Sequence, residues 1–165
     1  MGIHSSETML IAATVLKSLD VVCEYAIPLA KRTGKNAVLH VLLVLEEGAD
    51  IPDQDEIDRR LLAIRERGVE ADVEIEYSSV RGRFSDKVAE CLYNLDCPLL
   101  VVGDGNNRNK RLKDLKEIEH ILIYNKSWHH QKSHHFLIVS ERRKDPVLEV
   151  FNQKNRNQGR KPKNG

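Results

Sequence analysis

The sequence predicts an α/β fold, a doubly wound and mostly parallel five-stranded sheet with helices on both faces. Three observations predict it. Short apolar runs alternate along the chain with segments whose apolar residues recur at spacings of three and four. Two of the runs are apolar at nearly every position, as strands covered by helices on both sides must be. Capping residues and glycines fall at the joints. Five strands with four intervening helices imply parallel neighbours joined by right-handed crossovers.

Met9 to Thr14 (MLIAAT) reads as the first buried strand. Behind it Val15, Leu19, Val22, Ala26 and Leu29 form one apolar stripe, with Lys17, Asp20 and Glu24 between them. Gly34 closes that helix, and Pro28 inside it predicts a kink. Ala37 to Leu45 (AVLHVLLVL) is apolar on both faces and belongs near the sheet centre. Asp53 and Glu56 form a capping box ahead of Ile57, Leu61 and Ile64, and Gly68 is expected to end that second helix. Residues 70 to 77 (EADVEIEY) alternate apolar with acidic, the pattern of an edge strand with one wet face. Phe84, Val88, Cys91 and Leu92 mark a third helix after Gly82, and Pro98 to Val102 (PLLVV) a fourth strand ending at Gly103. Leu112, Leu115, Ile118 and Leu122 give a fourth helix, and His135 to Val139 (HFLIV) the fifth strand.

Several classes are excluded. The longest apolar run is interrupted by His40 and falls well short of the roughly 18 residues that a membrane span needs. Residues 1–7 read as a short extension without the basic and apolar regions of a secretory signal, so the chain is expected in the cytoplasm. Cys23, Cys91 and Cys97 form no CxxC pair and read as small core residues. No Walker loop, GxSxG elbow or HExxH helix is present, and the chain is read as a non-enzyme. His129, His130, His134 and His135 beside Trp128 lack a nearby Cys or paired carboxylate to complete a metal site, so no metal is expected. Residues 142–165 carry eight basic residues against Asp145 and Glu149. The whole chain is only +1, so the body over residues 8–141 is mildly acidic and bears a basic tail. That tail is expected to be largely disordered, because its end has no apolar side chain to bury. It is a candidate contact for nucleic acid or an anionic membrane surface.

Three segments carry a family resemblance. The opening strand, the helix reading EYAIPLAKRTG (Glu24 to Gly34) and the following AVLHV resemble the first βαβ unit of universal stress proteins. The stretch from Gly82 through Asp86, Val88, Ala89 and Glu90 to PLLVVGDG resembles that family's third helix, fourth strand and glycine loop. The resemblance implies the adenine nucleotide alpha-hydrolase-like fold with strand order 3-2-1-4-5, a ligand cleft between strands one and four, and dimerisation through strand five. The cleft position also follows from the rule that open α/β sheets bind ligands beyond the carboxyl ends of strands, where the winding reverses. Thr14 and Gly103 should flank it.

The nucleotide motif is degenerate. ATP-binding members carry an acidic residue where this chain has Thr14, and two glycines three apart followed, nine residues on, by Gly with Ser or Thr. Here Gly103 and Gly105 are followed by Asn106, Asn107 and Arg108, and residues 114–118 contain neither Gly nor a hydroxyl. Close backbone approach to a triphosphate loses its usual means. Val41 is the retained candidate adenine contact, and Arg108, Lys110, Arg111, Lys113 and Lys116 form a basic cluster that either binds an anion or is a solvated helix face. The expected role is a regulatory or stress-response module that dimerises and binds a protein partner without a cofactor. The alternative is a sensor of ATP, AMP or another anion at Thr14, Val41, Gly103, Gly105, Asn106 and Arg108. The apolar run Phe136, Leu137, Ile138 and Val139 is the expected dimer interface, because a last strand at the sheet edge must be covered.

Overall fold

The computed structural model describes residues 8–33, 38–48, 50–95, 99–104, 107–124, 134–139 and 147–151. Five parallel strands stand in the order expected: β1 (Thr8–Thr14), β2 (Val38–Leu45), β3 (Glu74–Arg81), β4 (Leu99–Gly103) and β5 (His134–Val139) run 3-2-1-4-5 across the sheet. Helices α1 (Leu19–Thr33) and α2 (Gln54–Glu70) cover one face, and α3 (Phe84–Leu95) and α4 (Arg108–Tyr124) the other. The period of two along the strands sorts the core into these layers. Leu39, Val41, Leu43 and Leu45 of β2 pack under α1 and α2, whereas Leu42 and Val44 pack under α3 and α4.

Local chemistry sets the elements. Asp53 caps α2 by accepting the Glu56 N–H at 2.9 Å. Ile57, Leu61 and Ile64 then bury one helical stripe, each contributing about 1.5–3 kcal/mol. Gly68 does not end this helix, which runs on to Glu70; a Cβ at Gly68 would collide with Ile75 and the Val73 carbonyl, so the glycine lets α2 press onto β3. Asp72, at φ 61°, takes the left-handed turn instead. The alternation read from Glu70 therefore starts β3 too early, although Ile75 is buried and Glu74 and Glu76 are exposed as predicted. A 3-10 turn, Leu16–Ser18, precedes α1, and α1 continues through the exposed Pro28. Gly34 and Ala37 lie outside the described residues.

The largest departure is at the far edge. A sixth strand, β6 (Val147–Phe151), pairs antiparallel with β5, from His134 opposite Phe151 to Ile138 opposite Val147. The sheet therefore continues into the segment read as a disordered tail beginning at residue 142. The premise of the expected dimer interface, that β5 is the edge strand, changes with it. β5 is flanked by β4 and β6 of its own chain, so its backbone has no edge to offer a second copy, and Phe136, Ile138 and Val139 are buried inside the chain. No helix among the described residues is long and apolar enough to cross a membrane.

Candidate functional site

The winding direction reverses between β1 and β4, where the start of α1 meets the carboxyl end of β4. Gly103 makes that junction possible: a Cβ there would lie 2.8 Å from both Ser18 Cβ and Val22 Cγ2. Thr14 is fully buried, and its hydroxyl donates to the adjacent Val15 carbonyl at 2.8 Å. Val41 is also fully buried, within the core beneath α1 and α2, so a base ring could reach it only by displacing that core. Arg108 opens α4 half-buried. Gly105 and Asn106 lie outside the described residues.

On the other side the end of β4 meets Arg111, a member of the basic cluster that the sequence offers either as an anion site or as a solvated face. Arg111 is 4% exposed. Its Nε–H donates to the Gly103 carbonyl at 2.7 Å, its Nη1–H donates to Asp114 Oδ2 at 2.9 Å, and its guanidinium lies 3.8 Å from the centre of the Phe84 ring. A guanidinium stacked on an aromatic face and shared between a carbonyl and a carboxylate satisfies its charge without water. Burial lowers the Arg111 pKa, while Asp114, Glu46 and Asp104 oppose that shift. Burial also raises the Asp114 pKa against the pull of Arg111 and Lys110. Burial is thus the largest influence on both partners, and Glu46 and Glu117 add to it at Asp114.

The local fold supplies that geometry. Asp104 N–H donates to the Val139 carbonyl and Asn107 N–H to the Asp104 carbonyl, which ties the start of α4 to the end of β4. Asn107 Oδ1 accepts the Lys110 N–H at 3.1 Å and caps α4. One turn on, Arg111 faces inward. The signal was present in the sequence: Arg111, Leu115, Ile118 and Leu122 are spaced four, three and four apart, and Arg111 is the N-terminal member of the buried stripe. Lys110, Lys113 and Lys116 point to solvent, so the basic cluster divides. α4 is unbroken through residues 114–118, where the nucleotide pattern has glycine and a hydroxyl.

Other polar groups lie away from this centre. His40 on β2 has Nε2 3.1 Å from Ser78 Oγ and Nδ1 3.8 Å from Glu76 Oε1. The row has the order of a hydrolase triad, but the carboxylate is beyond hydrogen-bond reach of Nδ1, which has no hydrogen-bond partner among the described residues. Burial lowers the His40 pKa, against the opposing pull of Glu76. A groove of about 300 Å³ between α3 and α4 is lined, among the described residues, by Asp86, Ala89, Glu90, Tyr93, Ile121 and Leu122. Cys23 is buried, and desolvation pushes its thiol up to about 12, which makes it an inert core residue. Cys97, Trp128, His129 and His130 lie outside the described residues.

No family model and no curated protein sequence matches the chain. Solved structures do. A universal stress protein crystallised in complex with cAMP superposes with a TM-score of 0.51 at 17% identity, over 81% of this chain and 98% of that one. Hypothetical protein MJ0577, the subject of a structure-based assignment of biochemical function, gives 0.50 at 12% identity, over 81% and 96%. Universal stress protein UspA from Lactobacillus plantarum gives 0.46 at 18% identity, over 70% and 93%. The likeness at these identities is one of fold: this is the doubly wound sheet of universal stress protein structures.

Proposed function

We propose that the chain is a divergent universal stress protein, a cytoplasmic module that acts by association with another protein and neither requires ATP nor turns over a substrate. The inward turn of Arg111 carries this reading. An incoming phosphate at Gly103 would have to displace a guanidinium already bound to the strand carbonyl and to Asp114. It would gain no glycine-lined backbone cradle from the continuous α4 in return. A closed ligand cleft in a binding fold leaves its outer surfaces as the means of action.

One observation favours a second reading, a sensor of an adenine nucleotide or another anion. Ser18 Oγ is buried beside Gly103 with no hydrogen-bond partner among the described residues, and a protein of the same fold is known with cAMP. The two readings separate on purified protein that is denatured and analysed by mass spectrometry for released small molecules. The association reading predicts no nucleotide. Release of ATP, AMP or cAMP in amounts comparable to the protein would replace it with the sensor.

A further inference from the structure

Helix α2 buries Ile57, Leu61, Ile64 and Gly68 and turns its opposite face to water. A solvent face is ordinarily polar throughout. On this one, Leu62 is 49% exposed and Val69 74%, and they are the large apolar side chains that stand exposed among the described residues. They lie two helical turns apart, in one line along the helix. The charges around Leu62 are ordered as well. Asp58 and Arg65, four residues before it and three after, flank one side of that line; Arg59 and Glu66, three before and four after, flank the other. All four are exposed. Each flank thus carries one acid and one base, and their order along the helix reverses from one flank to the other. Asp58 Oδ1 accepts a hydrogen bond from Gln54 Nε2 at 2.8 Å, and the Arg65 guanidinium lies 6.0 Å from the Tyr77 ring centre; neither contact neutralises a charge.

We propose that this face is a contact between two copies of the chain, with α2 lying antiparallel on the α2 of a second copy about a two-fold axis at Leu62. The two-fold turns one helix end for end and keeps like flanks together. Asp58 then meets the partner subunit's Arg65, and Arg59 meets the partner subunit's Glu66. Each pair forms twice, around Leu62 packed on the partner subunit's Leu62. Val69 carries the apolar line out toward the ends of the contact. In such a helix pair the apolar seam supplies the attraction, and the flanking charges set partner and register. Opposed helix dipoles favour the antiparallel sense over the parallel one. Charge complementarity also selects the occupant: with one acid and one base on each flank the face complements itself, whereas a strongly acidic or strongly basic partner would meet a like charge on both flanks. One helix on one helix falls at the small end of specific interfaces, below about 1,200 Å², so the dimer should form and part with concentration. This contact goes beyond the association reading and does not depend on it, because a second copy can dock whether or not a nucleotide is bound elsewhere.

The test is sedimentation equilibrium of the full chain from about 10 µM to about 1 mM, where monomer should give way to dimer. Leu62→Glu sets two like charges against each other at the two-fold and should weaken the dimer at least roughly ten-fold. Its melting temperature in dilute solution should match that of the unaltered chain, since Leu62 stands on the surface. Asp58→Arg should also weaken the dimer, by facing the partner subunit's Arg65. Adding Arg65→Asp should restore it, because the pair re-forms with its signs exchanged. In a parallel pairing Asp58 would instead face the partner subunit's Arg59, and the double variant would stay as weak as the single one. Added salt should weaken the dimer of the unaltered chain. A chain that stays monomeric up to about 1 mM would overturn the proposal. So would a Leu62→Glu dimer as tight as the original, or a double variant no tighter than Asp58→Arg. Those results leave the association reading standing, whereas released nucleotide would remove that reading and leave this dimer untouched.

Discussion

At the carboxyl ends of β1 and β4, Arg111 directs its Nε and Nη1 groups at the chain itself; at the far side of the sheet, β6 has a strand on one side only among the described residues. An open α/β sheet can meet other molecules at either place, and here the chain's own Arg111 occupies the first. The difference lies in what each has to satisfy. A buried centre pairs most of its polar groups internally, and here a cation from α4 pairs the Gly103 carbonyl and Asp114 while Ser18 Oγ has no hydrogen-bond partner among the described residues. An edge can leave its backbone to water until a partner arrives.

The comparison breaks most visibly if β6 is removed. A chain ended after Val139 bares the β5 backbone beside Phe136, Leu137 and Ile138, and should aggregate or associate in light scattering. A chain ended after Phe151 should remain as dispersed as the full protein. Equal behaviour of the two truncations would mean that β6 does not cover β5. At the centre, Gly103→Val forces a side chain into Ser18 and Val22 and should cost about 1–3 kcal/mol in urea unfolding. An unchanged midpoint would show that α1 does not press on β4 there.

How far the sequence foretold this depends on the kind of signal. β2 is apolar on both faces because both faces are covered, and Asp53 with Glu56 marks a cap; such features follow from local chemistry and were read correctly. β6 was missed because its five residues are a short run between charged segments, and pairing with β5 rather than local pattern makes it a strand. Arg111 was missed for a different reason. Charge runs usually mark solvated faces, and only the spacing to Leu115 placed this one inside.

Smaller changes sharpen the account of the centre. Arg111→Met leaves the Gly103 carbonyl and Asp114 without their donor and should cost about 1–3 kcal/mol. Adding Asp114→Leu should recover much of that loss, since an apolar pair can replace an ion pair that has lost its water. A double variant no better than the single would show that Asp114 is not held there by Arg111. The smallest effect is a dependence on pH at His40, whose folded pKa lies below the ordinary value of about 6.5. Between the two values the unfolded state binds more protons, so His40's contribution is complete above about 6.5 and is lost as the pH falls. His40→Asn should flatten the decline in urea midpoint on acidification from about pH 7.5 to 5.5; an undiminished slope would assign it to other groups.

The central claim is that Arg111 has taken the place of a nucleotide, and the melting temperature of the full chain with and without about 1 mM MgATP tests it most directly. A ligand at a hundred times its dissociation constant stabilises the folded state by about 2.7 kcal/mol, which for a domain of this size is a shift of roughly 5–10 °C. The closed centre predicts a shift below about 1 °C. A rise of several degrees that disappears in Gly103→Val would contradict it and place the nucleotide at the switch point after all.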